Sequence, residues 1–129
     1  MADIVEVTDT NQFQSTLDSI AAEQEFVVVI FTGTVDPATG KNWCPDCERA
    51  KPNLNNILMP NASGKVIKCI VQRSEWRGNP DHPYKKSSFL KVRGVPTVVL
   101  IREGDIIMRA DKDEDFDNEE LLLSIAKPE

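Results

Sequence analysis

Two rhythms of apolar residues run along this chain. Short runs dense in β-branched and aromatic side chains alternate with stretches in which apolar positions recur every three or four residues, so strands and helices are expected to alternate. Residues 4–7, Ile4-Val5-Glu6-Val7, read as a first strand. The polar cluster Thr8-Asp9-Thr10-Asn11 offers N-cap side chains for a helix that carries Phe13, Leu17 and Ile20 on one face. Phe26-Val27-Val28-Val29-Ile30-Phe31 is apolar without a break, the pattern of a strand buried on both faces of a largely parallel sheet. It is expected to be the central strand.

Residues 33–42 follow with Gly33, Pro37 and Gly40 as punctuation, a loop long for a βα connection. Pro45 suits the first turn of a helix, and Leu54, Ile57 and Leu58 continue it as an apolar stripe. Pro52 lies inside that helix and is expected to kink it. Residues 66–71 read as a strand containing Cys69, and residues 79–83 as a turn leading into a short helical stretch over 84–90. Residues 97–101 and 105–108 are separated only by Arg102-Glu103-Gly104, which allows nothing but an antiparallel hairpin. A last helix is predicted over 118–126. The order β-α-β-α-β-α-β-β-α predicts an α/β fold with a central mixed sheet flanked by helices on both faces.

With 129 residues, 40% of them hydrophobic, the chain is expected to form a single domain over 1–129. A net charge of −6 is the wrong sign for a phosphate backbone, so no nucleic-acid partner is expected. The first residues lack the basic flank and apolar core of a secretory signal, and the longest apolar run, residues 26–31, is too short to span a bilayer. Three cysteines are an odd number for a disulfide-stapled secreted domain, so a reducing compartment, the cytosol, is expected.

The candidate chemistry lies at Trp43-Cys44-Pro45-Asp46-Cys47, where a loop after a buried strand opens a helix. Cys44 at the helix start meets unpaired backbone N–H groups and the positive end of the dipole, which favour a thiolate and make it the expected nucleophile. Cys47, one turn on and nearer the interior, is the expected resolving thiol. Thiol–disulfide exchange through such a pair needs no bound metal or organic cofactor. Asp46 acts in two directions: its charge opposes the Cys44 thiolate, yet a carboxylate in the first turn complements the dipole. Pro96, between Val95 and the strand beginning at Thr97, is open to two readings, a strand-initiating proline or a cis proline.

Bland readings are assigned to the remaining conspicuous residues. Cys69 in its apolar strand is expected to be a buried, inert thiol, His82 to belong to a solvated turn, and Trp76 to pack. Residues 111–117, rich in aspartate, are expected to be a solvated connection. A closed zinc site would need four ligands, and beyond the cysteine pair only Cys69, His82 and carboxylates are available, so no metal is expected. Lys41 and Lys51 flank the motif as weak supports for a thiolate.

The Cys-Pro-Asp-Cys motif in its context, Val95-Pro96-Thr97 and the element order together resemble the thioredoxin superfamily over nearly the whole chain. Phe31-Thr32-Gly33, the loop ending Gly40-Lys41-Asn42 and Trp76-Arg77-Gly78-Asn79-Pro80 are similar to the thioredoxin domain-containing protein 17 family in particular. The resemblance implies a thioredoxin-like fold and a cytosolic disulfide reductase. Such an enzyme is recharged from NADPH through thioredoxin reductase and acts on small disulfides such as cystine and on selected protein disulfides, as a monomer. It also implies a cis Pro96 facing Cys44, with Trp43, Val95 and Pro96 as substrate-binding residues and Pro45 and Asp46 as supports. Val95 would then offer its backbone to an extended substrate. The loop 33–42 would stand beside the site and exclude large folded partners. Ordinary thioredoxins carry a buried acid on the central strand beside the resolving thiol; here that strand is Val28-Val29-Ile30-Phe31, and Asp46 is the one acid of the motif to take over that task. The competing class is a non-catalytic adaptor whose cysteines regulate partner binding.

Overall fold

The alternation of side chains along β2 (Phe26–Gly33) organises everything else. Successive residues of a strand point to opposite faces, so Val27, Val29 and Phe31 enter one core while Val28 and Ile30 enter another. The computed structural model, which describes residues 2–129, sets β2 at the middle of a five-stranded sheet of order β1-β3-β2-β4-β5. β1 (Asp3–Val7) and β2 both run parallel to β3 (Lys65–Val71), in registers Ile4↔Val66 and Val28↔Val66. β4 (Thr97–Arg102) runs antiparallel to both of its neighbours, β2 and β5 (Asp105–Ala110), so the sheet is mixed as the element order predicts.

Helices cover both faces. On one, α1 (Phe13–Ala21) packs Phe13, Leu17 and Ile20 against Val29, Phe31 and Ile67, joined by Trp76, Tyr84, Leu90 and Val92. On the other, α2 (Pro45–Asn53) and α6 (Glu119–Ala126) pack Ala50, Leu122 and Ile125 against Val28, Ile30 and Leu100. Asp9 serves as the first cap, its carboxylate accepting from the Asn11 N–H at 2.9 Å. The hairpin turns through Glu103 and Gly104, both at positive φ (51° and 82°), the backbone twist a tight antiparallel connection requires. Among the described residues no helix is long and apolar enough to cross a membrane.

Two local expectations, the helix over 84–90 and the solvated His82, are corrected. The expected helix over 84–90 is only one turn, α5 (Pro83–Lys86), after a one-turn α4 (Arg73–Trp76) that no periodicity announced. Ser87 ends α5 by turning extended, and its hydroxyl accepts the Leu90 N–H at 2.9 Å, a local bond that competes with helix continuation. The helix carrying Pro52 is disturbed one step later, as a π turn over Leu54–Leu58 that leads into the short α3 (Met59–Asn61). The expected solvated His82 is buried: its ring stands 4.8 Å from that of Trp76 and 5.1 Å from that of Tyr84, and its Nδ1 accepts the Tyr84 N–H. A single histidine between prolines reads as a turn, and only the aromatic neighbours brought over it by the fold exclude water.

Candidate active site

The chain leaves β2 at Gly33, where a Cβ would stand 2.4 Å from Asn42 Oδ1 and 2.7 Å from the Trp43 ring. Only glycine lets the loop fold back this closely. The returning loop is a small hairpin: Asp36 N–H donates to Lys41 O at 2.8 Å, Gly40 N–H to Asp36 O at 2.7 Å, and Val35 bridges Asn42. Its base is tied to the end of β3, where Val71 O accepts from the Thr34 N–H, the Thr34 hydroxyl and Trp43 Nε1–H at 2.9–3.0 Å.

Asn42 holds the loop to the helix. Its Nδ2 donates to Gly33 O at 2.7 Å and to the Thr32 hydroxyl at 3.3 Å, its Oδ1 accepts the Cys44 N–H at 3.0 Å, and its own N–H donates to Glu48 Oε1 at 2.6 Å. Glu48 and Asn42 were not singled out by the motif reading. The signal that could have found them is an acidic residue in the first helical turn with a polar residue just before the cap.

Cys44 is the N-cap of α2, with Pro45 at the first helical position. Its Sγ accepts the Cys47 N–H at 3.2 Å and lies 3.3 Å from Val95 O, to which the protonated thiol donates. The Val95–Pro96 peptide bond is cis, which decides between the two readings left open for Pro96. Trp43, Cys44, Cys47, Val95 and Pro96 are thus brought together although 52 positions separate Cys44 from Pro96.

The two thiols are set apart by their surroundings. A hydrogen bond from the Cys47 thiol lowers Cys44 to about 7 against the desolvation of its nearly covered sulfur, helped by the Cys47 N–H and the Arg49 charge. At neutral pH a substantial fraction of Cys44 is therefore thiolate. Cys47 is raised far above the ordinary thiol value, first because it donates that bond to Cys44 and then through burial. Its other partners are the Thr32 hydroxyl and the Gly33 backbone, both of which partly oppose the rise.

Asp46 does not reach Cys47: half exposed, it is ion-paired with Arg49. The cation that acts on Cys44 is Arg49, where Lys41 and Lys51 were expected. Thr32, absent from the sequence-based candidates, is the polar side chain that the central strand offers the resolving thiol. Behind Cys47 and Thr32 lies a cavity of about 290 Å³, reached by Glu6, Glu48, Lys51 and Lys68. Cys69, fully buried and hydrogen-bonded to Tyr84, is pushed up to about 12 by burial, as befits an inert thiol. Trp76 packs as expected, with Lys85 Nζ 4.5 Å over its ring.

The model of the thioredoxin domain of thioredoxin domain-containing protein 17-like proteins matches residues 6–127. The chain belongs to this family. The chain is 33% identical over 102 residues to the thioredoxin-like protein Clot of Arabidopsis thaliana, covering 78% of this chain and 75% of that one. It is 38% identical over 74 residues to human thioredoxin domain-containing protein 17, with 57% and 58% covered. A segment of a Leishmania braziliensis protein named acireductone dioxygenase is 35% identical over 88 residues, and there the match spans only 25% of the relative's length. Among solved structures, a thioredoxin from Trypanosoma brucei brucei superposes with a TM-score of 0.59 at 19% identity, covering 95% of this chain and 90% of that one. That likeness establishes the thioredoxin-like fold. Family membership together with the Cys44–Cys47 pair at the start of α2 fits a redox role.

Proposed function

We propose that the protein is a disulfide reductase, a thiol–disulfide oxidoreductase with Cys44 as nucleophile and Cys47 as resolving thiol. The observation that carries this reading is the placement of the pair: Cys44 caps α2, its Sγ accepts the Cys47 N–H at 3.2 Å and faces Val95 O of the cis Val95–Pro96 bond at 3.3 Å, an arrangement that lowers the Cys44 thiol and raises Cys47. The Cys44 thiolate attacks one sulfur of a substrate disulfide, breaks its S–S bond and expels the other sulfur as a thiolate that takes a proton from water. Cys47 then loses its proton and attacks Cys44 Sγ in the mixed disulfide. The second substrate thiol leaves, and the enzyme holds a Cys44–Cys47 disulfide. Two electrons have passed to the substrate. They are restored from NADPH through thioredoxin reductase.

Pro45 supports the helix start and Asp46 tempers Arg49 by pairing with it. Trp43, Val95 and Pro96 form the surface on which an extended substrate lies, the Val95 backbone pairing with it in β fashion. Cystine and selected protein disulfides are the substrates we assign, for a single-domain monomer working in the cytosol. The loop over 33–42 keeps larger folded partners away.

NADPH consumption with catalytic thioredoxin reductase, and cystine or insulin as terminal disulfide, tests this. Turnover of cystine that vanishes in Cys44→Ser is the expected result. A folded protein with no turnover on either disulfide would instead support an adaptor, which should keep its partner when both cysteines are serine.

A further inference from the structure

The acidic character of the chain is not evenly spread. Residues 72–96, the connection from β3 to β4, hold six of the fifteen Lys and Arg but only two of the twenty-one Asp and Glu. This segment therefore carries +4 in a chain of −6. Both of its ends border the candidate active site. Val95 O faces Cys44 Sγ at one end. At the other, Arg73 and Arg77 line an open cleft of about 820 Å³ together with Lys41 and Trp43.

Lys41, Arg73 and Arg77 make no ion pair among the described residues. The one carboxylate in the cleft, Asp36, is turned to its own loop, where its Oδ1 accepts the Ala38 N–H at 2.9 Å. Two other cations of the same segment are engaged: Lys85 donates to Trp76 O at 2.7 Å, and Lys86 lies 3.8 Å from Asp81. Three uncompensated cations around one concavity, on a protein whose remaining surface repels anions, focus a positive potential beside Trp43.

From this geometry we infer that the cleft between the loop over 33–42 and α4 binds an acidic polypeptide segment flanking the substrate disulfide, with Lys41, Arg73 and Arg77 as specificity-determining residues. The inference rests on the proposed reductase reading and adds a substrate preference to it. Trp43 lines the cleft and immediately precedes Cys44, so the cleft adjoins the reaction centre. A carboxylate-bearing stretch seated here places its cysteine over Cys44, whereas a lysine-bearing stretch meets like charge. Arginine suits this task, since its planar fork can grip a carboxylate with two hydrogen bonds.

The test uses two peptides with the same disulfide loop, one flanked by glutamates and the other by lysines. At low salt kcat/KM should favour the acidic peptide by about tenfold, and the preference should collapse as the screening length shortens from ~10 Å at 0.1 M salt to ~3 Å at 1 M. In an Arg73→Gln/Arg77→Gln variant the preference should be lost while turnover of an uncharged small disulfide is unchanged. Equal turnover of the two peptides, or a preference that survives the double substitution, would overturn the inference. If neither peptide is reduced and cystine and insulin are not turned over either, the reductase reading fails separately. Titration of the same peptides with serine for cysteine, followed by tryptophan fluorescence, then still decides: salt-sensitive binding of the acidic one supports the cleft, and no binding rejects it.

Discussion

At the scale of residues, the two sulfurs of the motif differ by their surroundings: Cys44 caps the helix and Cys47 lies one turn inside it. Cys44 at about 7 should be alkylated by iodoacetamide at a rate that climbs with pH and levels off above that value, because the thiolate is the reactive form. The Cys47 thiol is the largest cause of the lowering, so Cys47→Ala should move the midpoint upward. Arg49→Gln should move it upward less. A midpoint unmoved in Cys47→Ala would show that the helix terminus alone sets the acidity. Thr32 makes a second prediction. Its hydroxyl faces the Cys47 thiol and also binds Asn42. Thr32→Val should slow the resolving step in single-turnover release by up to about tenfold, the worth of one hydrogen bond, and Thr32→Ser should restore it. Equal rates for the valine and serine variants would remove Thr32 from the mechanism.

At the scale of elements, what matters is how the connections between strands are held. The loop over 33–42 is tied at both ends, by Val71 O and by Asn42. The connection from β3 to β4 is held differently, by the edge-on contact of Trp76 with His82 and the tilted contact of His82 with Tyr84. Burial, with a smaller contribution from Lys85 and against Glu75, lowers His82 from 6.5. The folded state thus binds its proton less readily than the unfolded chain. This contribution to stability is complete above 6.5 and is lost as pH falls through that value toward the lower folded one. Urea midpoints measured from about pH 7 to 5 should therefore decline more steeply in wild type than in His82→Gln. Parallel declines would mean that other groups govern the acid response of this connection.

At the scale of the whole molecule, two cores share one strand. Phe31 is fully buried, 5.1 Å from the Tyr84 ring, and its neighbour Thr32 faces the resolving thiol, so packing and chemistry meet in consecutive residues. Phe31→Ala should cost about 3–5 kcal/mol in urea unfolding, the range for an aromatic lost from a packed core. A Cys44→Ser/Cys47→Ser variant, by contrast, should keep nearly the wild-type stability. A loss as large as that of Phe31→Ala would show that the cysteines are structural.

What the sequence by itself determined is what rests on local periodicity and on spacing along the chain. The uninterrupted apolar run at 26–31, the short gap at Arg102-Glu103-Gly104 and the cysteines one helical turn apart each imply their structure through nearest-neighbour geometry, and the mixed sheet and redox motif were legible from them. Tertiary structure alone decided the rest. Ser87 cut a helix short, Trp76 and Tyr84 closed over His82, Arg49 and not a lysine came to act on Cys44, and Asp46 turned outward, leaving Thr32 beside Cys47. Each of these depends on groups brought together by folding, and whether a polar side chain meets water, a charge or a sulfur is set by distances that periodicity does not encode.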